Sequence, residues 1–458
     1  MDYSYILNQY AGKKTRIGVI GATRGYGHTL LVQSLKCRFI DLRVICSRHP
    51  EDGVAVLKEI GYPNPVAICE TVEEIKAAPK DAIIIVRDYN LVCECDIDSM
   101  VECTGNFTVG TGSVLQCLRK GINVHMVSKE TDSICGAMFN QVAKENGAGY
   151  FLVNGDQPRN LLDLYFWAVL LGLEVVAAGK ASEYDFVWDR ETDMVSYLDG
   201  VSEDTHVPEL AQHWKYKGPE TLAARRKLLE KYTSVIAADL CEMSLVANTT
   251  DLRPATPSLD YPIARINELA DIFIPEEDGG ILKETGVVDV FYNLHDSDEA
   301  SFCGGEFIIV RCENETMWDL LAGKGHVVSR NKKYCCIYWP YHYLGLETPL
   351  SIVLGDLMGV GFHPEYRTRT ILTGMAQHDL PAGTKLIVAG HHHTIDGVVP
   401  QLLMTKEGNE NKAPFHLLNG AVLLRDLKAG DPITLDDVDL SGHETYQLYM
   451  DGLKLLDE

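Results

Sequence analysis

No run of apolar residues in this chain approaches the roughly 18 that a membrane span needs, so a membrane-embedded protein is not expected. Basic residues are also scarce: 41 Lys and Arg stand against 65 Asp and Glu, for a net charge of −24. That balance excludes general attraction to nucleic acid or to an anionic membrane, and any phosphate must be held locally. The thirteen cysteines, among them Cys93, Cys95, Cys335 and Cys336, form no CxxC pair and keep no regular spacing. An odd, irregular set reads as free thiols in a reducing cytosol, and the chain is expected to be cytoplasmic. Internal repeats, low-complexity tracts, a P-loop, a nucleophile elbow and a zinc signature are absent as well.

What is there is a globular composition, 46% hydrophobic over 458 residues, which predicts two or three cores. From Thr15 to about Val153, short apolar runs (RIGVI, DLRVIC, DAIIIV, SMVECTG, INVHMV, GYFLV) alternate with helical patterns. This alternation predicts an α/β fold with a parallel, doubly wound sheet of Rossmann type over residues 1–154. After Gly155 come a long apolar helix (LLDLYFWAVLLGL), a strand-like EVVAAGK and a charged stretch, KYKGPETLAARRKLLEKY. These predict an α+β substrate and oligomerisation domain over 155–375. Short strands punctuated by Gly and Pro then predict a small β-rich module over 376–458.

The stretch RIGVIGATRGYG places Gly21, Ala22, Thr23, Arg24, Gly25, Tyr26 and Gly27 on a strand-to-helix turn. Its glycines let the backbone bend sharply, approach a pyrophosphate and pack helix on strand, so the turn predicts dinucleotide binding. The spacing is GxxxGxG rather than GxGxxG. About twenty residues further on, Ser47 and Arg48 stand where NAD sites carry an acid, and an Arg there accommodates the ribose phosphate, favouring NADP(H). Arg24 adds a second cation, and Thr104 and Gly105 at a strand end are placed beside the nicotinamide half.

Candidate chemistry follows where other strands end. Lys129, Glu130 and Asp132 follow a strand and are placed to reach the nicotinamide. Asp156 and Gln157 precede a Pro-started helix, where Asp156 serves either as a cap or in the site. Lys180 follows an apolar strand and a Gly, suited to donate to a carbonyl oxygen as hydride arrives, or to a structural ion pair. Asp239 and Glu242 lie three apart on one helical face, with Asn248 about two turns beyond. Tyr341, His342 and Glu347 sit among aromatics. In GHHHT, a strand would turn adjacent histidines to opposite faces, so that His391 and His393 share one; a polar loop is the reading preferred to a metal site.

Taken in order, VICSRHPED, VECTG, ETD, GDQP, VVAAGK, EMSLVANTT, PYHYLGLETPLSI and GAVLLRDLKAGDPITLDDVDL resemble the deoxyxylulose phosphate reductoisomerase-like family. The resemblance implies a homoserine-dehydrogenase-like half joined to a C-terminal SAF-type module, an NADPH-dependent oxidoreductase, and a pocket of Glu130, Asp132, Asp156, Gln157, Lys180, Glu242, Asn248, Tyr341, His342 and Glu347. The family's characterised branch rearranges and reduces deoxyxylulose phosphate to methylerythritol phosphate. Three places depart from its pattern: Trp339 replaces an Arg, Arg159 replaces a small residue, and TSVIAAD replaces a segment with Gly-Thr-Lys. The expected function is therefore an NADP(H)-dependent reductase or reductoisomerase of a small polyhydroxy carbonyl compound. In it Lys180 steadies the oxyanion, while Glu242 or Asp156 handles the proton. A divalent metal held by carboxylates would serve a carbon shift, although the sequence shows none. A plain homoserine- or hydroxy-acid dehydrogenase, with Arg159 holding a carboxylate, is the alternative, and a non-catalytic cofactor sensor is a third. The expected partners are a small-molecule substrate and further copies of the chain, with no nucleic acid or membrane.

Overall fold

The computed structural model describes residues 3–312, 314–359 and 366–456, which divide into two compact units. Unit 1 comprises residues 1–159, 343–368 and 441–458; unit 2 comprises 160–342 and 369–440.

Unit 1 is the doubly wound α/β fold that the alternation predicts. Its strands are β1 (Thr15–Ile20), β2 (Ile40–Cys46), β3 (Val66–Ile68), β4 (Ile83–Val86), β5 (Ser99–Glu102), β6 (Asn123–Met126) and β7 (Tyr150–Leu152). They form one parallel sheet in the order β3-β4-β2-β1-β5-β6-β7. The strand order reverses between β1 and β5, and such a switch point is where doubly wound sheets bind ligands. β3 was not expected: it is a three-residue strand at the sheet edge, Val-Ala-Ile, too short to stand out as an apolar run, and both of its ends are exposed. Ile17, Val19, Leu30, Leu31, Ile45 and Ile83 form the core beneath the turn, joined from far along the chain by Ile352.

Unit 2 is built on a ten-stranded mixed sheet. At its middle the strand Val287–Asp296, buried at every position, pairs in parallel with Glu174–Ala181, which pairs antiparallel with Glu306–Arg311. The helix Ala237–Thr249 is buried along its whole length. A helix apolar all round belongs inside a core, so the charges it carries need partners. The strands Thr370–Ala376 and Val398–Met404 form an antiparallel pair that opens the β-rich stretch; that stretch stays in unit 2 to Leu440, whereas the helix Glu444–Lys454 belongs to unit 1. No helix among the described residues is long and apolar enough to cross a membrane.

Candidate active site

In unit 1 the turn after β1 is pulled tight by its glycines. Gly21 has φ +85°, and a Cβ on it would stand 2.6 Å from the Cys103 carbonyl oxygen beyond β5. A Cβ on Gly27 would stand 2.3 Å from the Gly21 oxygen, so only glycine lets the helix Gly25–Lys36 start this close to the strand. Gly25, at φ +51°, faces open space, as a residue before a phosphate must. Ala22 is buried, Thr23 half-buried and Arg24 exposed. Tyr26 turns inward: its hydroxyl lies 2.6 Å from Thr348 Oγ1 and donates to the Asn154 carbonyl at 3.2 Å. Burial first, and then the charge of Asp156, push this hydroxyl's pKa well above its ordinary value.

At the end of β2, Ser47 Oγ donates to the His49 carbonyl at 3.0 Å and shapes the loop that leaves Arg48 exposed. Past β5, Thr104 donates its N–H to Glu102 at 3.0 Å, and Gly105 N–H donates to Ser128 Oγ at 2.8 Å. Burial, only partly opposed by bonds from Ser128 and Thr104, pushes the Glu102 carboxyl up to about 7. An open Gly25 at a helix N-terminus, with exposed Arg24 and Arg48, fits a dinucleotide carrying a ribose phosphate.

Lys129 and Glu130 stand half-buried on the first turn of the helix Lys129–Asn146. Asp132, a candidate substrate contact, is buried and accepts from Tyr150 Oη at 2.7 Å and Tyr366 Oη at 3.1 Å. Its carboxyl is pushed up to about 7, by burial against the bonds from Tyr150 and Tyr366. Asp156 is half-buried ahead of the helix Gln157–Leu170, and Gln157 and Arg159 are buried within it. Glu347 accepts from the Tyr343 N–H at 3.1 Å, closing its own turn.

In unit 2 the structure brings together Lys180, Asp239 and Glu242, residues about sixty positions apart in sequence. Lys180, 1% exposed, donates to Asp239 Oδ1 at 2.7 Å and bonds Glu242 as well. Ser182 Oγ at 2.8 Å and Tyr261 Oη at 3.1 Å donate to the other Asp239 oxygen. Across the antiparallel ladder Lys180 is paired with Glu306, which is fully buried. Gly179 gives the strand its close approach here, since a Cβ would meet the Asp289 carbonyl oxygen at 2.1 Å. Lys180 is thus both the ion-paired residue and the candidate acid.

The loop 301–305 is fixed beside this cluster. Fully buried Asp185 accepts from Ser301 Oγ at 2.7 Å and from Phe302 N–H at 3.1 Å, with His295 Nε2 at 3.2 Å. The bond to Asp185 raises the His295 pKa against its burial. His342 Nδ1 lies 3.0 Å from the Gly304 oxygen, and Tyr341 is exposed. Asn248, also a candidate substrate contact, is buried, its side-chain oxygen accepting from Thr370 N–H at 2.9 Å. Ser182, Tyr261 and Glu306 carried no signal in sequence, because each reaches Lys180 or Asp239 only through sheet pairing or loop closure. A separate cavity of about 340 Å³, bordered by Arg253, Asp260, Leu402 and Glu407, does not include Lys180.

Among the described residues no group of three or more His, Cys, Asp or Glu has the geometry of a metal site. The Lys180 ammonium bonds both Asp239 and Glu242, so this donor set does not fit a divalent cation.

Fold and site together define an α/β dinucleotide-fold protein with a buried lysine–carboxylate centre in its second unit. Residues 155–348 match a family model described as the catalytic domain of oxidoreductase DRL. No curated protein matches the sequence. Among solved structures, the chain is similar to 1-deoxy-D-xylulose 5-phosphate reductoisomerase from Zymomonas mobilis in complex with NADPH: 13% identity, 51% of this chain and 57% of that one, TM-score 0.31. It is similar also to the WlbA dehydrogenase from Bordetella pertussis with NADH and UDP-GlcNAcA: 18% identity, 39% and 48%, TM-score 0.27. The chain thus spans about half the length of these structures.

Proposed function

We propose that the protein is an NADP(H)-dependent oxidoreductase that reduces, or rearranges and reduces, a small polyhydroxy carbonyl compound. The observation that carries this reading is the buried Lys180–Asp239–Glu242 cluster inside the segment matched as an oxidoreductase catalytic domain. Bound NADPH supplies hydride. Lys180 donates an N–H to the substrate oxygen on which negative charge develops, a role worth most in a site closed to water. Asp239, fixed by Ser182 and Tyr261, keeps the ammonium charged and aimed, and Glu242 relays the proton that the alcohol gains. Arg48, with Arg24, binds the ribose phosphate. Two substrate classes are consistent with this reading: a phosphorylated one, as in conversion of deoxyxylulose phosphate to methylerythritol phosphate, and an unphosphorylated polyhydroxy compound or hydroxy acid.

All thirteen cysteines are free, which supports a cytoplasmic enzyme. Phe166, Trp167, Leu170 and Leu171 are exposed on and just after the helix Gln157–Leu170, which supports a homo-oligomer measurable by light scattering.

Fluorescence titration with NADPH and NADH tests the cofactor half of the proposal. NADPH is expected to bind at least tenfold more tightly, and Arg48→Ala to erase the difference. Equal affinities in the unmodified protein would refute the NADP(H) assignment, and binding of neither would remove the function altogether.

A further inference from the structure

GHHHT is the motif that the Lys180 chemistry leaves unused. The structure makes it a closed turn rather than a strand: Ala389 N–H donates to the Thr394 oxygen at 2.8 Å and Thr394 N–H returns to Ala389 at 2.9 Å. Gly390 stands at φ +69° and His393 at φ +54°. A positive φ is uncommon for a residue with a side chain, and here a contact holds it, His393 Nδ1 lying 3.1 Å from Nε2 of buried His416. The run is thus a loop, as preferred on sequence, and strand alternation does not govern where its side chains point. His391 and His392 reach one carboxylate, Glu183, with His391 Nε2 bonded to it and His392 Nε2 3.4 Å away. The His392 ring also packs against Tyr184, centroids 5.6 Å apart.

Glu183 lies two residues past the strand that carries Lys180, and its backbone oxygen accepts the Cys303 thiol. The loop that carries this thiol is itself tied to the Lys180 strand, the Ala181 N–H donating to the Gly305 oxygen at 2.9 Å. The clasp and the lysine cluster therefore belong to one electrostatic neighbourhood. The clasp is reachable from solvent, with side-chain exposures of 74% for His391, 27% for His392 and 28% for Glu183.

Charge then narrows the ligand. Within unit 2 this neighbourhood holds the five carboxylates of Asp239, Glu242, Glu306, Glu183 and Asp185 against the Lys180 ammonium and the imidazoles of His295, His391 and His392. A phosphate dianion brought here is repelled by the surplus of carboxylates, whereas hydroxyl groups find carboxylate acceptors beside imidazole donors.

We infer that the 390–394 turn is part of the Lys180 site, and that His391 and His392 are positioning residues that hold Glu183 as the specificity-determining carboxylate for an uncharged, polyhydroxylated end of the substrate. This rests on the reading of Lys180 as the group that meets the substrate carbonyl. His391 bonds one Glu183 oxygen and His392 stands 3.4 Å from the other, so the carboxylate is ordered before substrate hydroxyls reach it.

The test is calorimetric titration of the NADPH-saturated full-length protein with three- to five-carbon aldoses and ketoses, each unphosphorylated and with a terminal phosphate. Unphosphorylated sugars are expected to bind at least tenfold more tightly than their phosphates. Glu183→Gln and the pair His391→Gln/His392→Gln should each weaken them at least tenfold. The triple variant should be no weaker than the worse of these two, because the three residues act as a unit. NADPH affinity should stay within threefold throughout. If Glu183→Gln melts early, His391→Gln alone, at the most exposed of the three side chains, supplies the comparison. Preference for the phosphates, indifference to Glu183→Gln, or additive losses would overturn the inference. Binding of no sugar with NADPH binding intact overturns it while leaving the cofactor assignment standing; absence of NADPH binding in the unmodified protein refutes the proposed function itself.

Discussion

Lys180 is where stability and chemistry compete. Replacing it with Met strands Asp239 and Glu242 in a dry interior, which costs about 3 to 5 kcal/mol for a broken buried pair. Lys180→Met is accordingly expected to lower the melting temperature and to abolish substrate-dependent NADPH oxidation, while fluorescence titration still reports NADPH bound; unchanged turnover would exclude Lys180 from the chemistry. A second residue, Asp356, governs the acid limit of unit 1. Burial alone would raise its carboxyl, but the charge and bond of His125 Nε2 at 3.0 Å, with Thr15 Oγ1 at 2.6 Å, bring it down to about 2. A carboxyl lowered in this way adds stability that is complete above its unfolded value near 4 and is lost as pH falls toward 2, on the order of 2 kcal/mol. Asp356→Asn should remove that component of acid unfolding, read by circular dichroism between pH 5 and pH 2. Asp132 works in the opposite direction. Raised to about 7, it favours the folded state below pH 4, and that contribution is lost as pH rises through 7. Asp132→Asn is expected to keep the bonds from Tyr150 and Tyr366 and to flatten the fall in melting temperature between pH 5 and pH 8.

At the scale of elements, glycines decide how closely the working parts approach. Gly27→Ala puts a methyl against the Gly21 carbonyl, with backbone on both sides and nowhere to move. Loss of NADPH binding is expected, with a destabilisation of about 1 to 3 kcal/mol for the overpacked turn. Gly179→Ala should cost at least as much and should misplace Lys180, so activity falls further than stability does. The turn after β1 was legible in the sequence because its chemistry is local: a strand, three glycines and a helix within a dozen residues. The helix Ala237–Thr249 was legible only in part. Its Asp239 and Glu242 stood out on an apolar surface, but the pattern along a helix does not say which strand lies opposite, so an ion pair and a reactive site read alike. The histidine run lies in a loop, the reading preferred on sequence, but only the tertiary structure shows what it touches. Alternation of faces holds for strands, and the reciprocal Ala389–Thr394 bonds make a turn instead.

Over the whole molecule, the chain passes back and forth between its two units, and unit 1 is assembled from three stretches. Thr445 Oγ1 lies 3.0 Å from Thr111 Oγ1, and Tyr366 and Asp356 hold Asp132 and His125 from more than 200 residues away. A chain ending at residue 159 should therefore aggregate or melt well below the full protein, although it contains every strand of the dinucleotide sheet; a stable monomer by size exclusion and circular dichroism would contradict this. By itself the sequence determined the α/β class, the glycine turn, the cation after β2, and Lys180 as a residue of interest, since all of these follow from periodicity, backbone freedom and charge over short stretches. Tertiary structure alone decided that Asp132 and Asn248 face inward, that Glu306 stands across the ladder from Lys180, and that two histidines close on Glu183. Those outcomes depend on which distant segments desolvate one another and must satisfy each other's polar groups, and no local pattern carries that information.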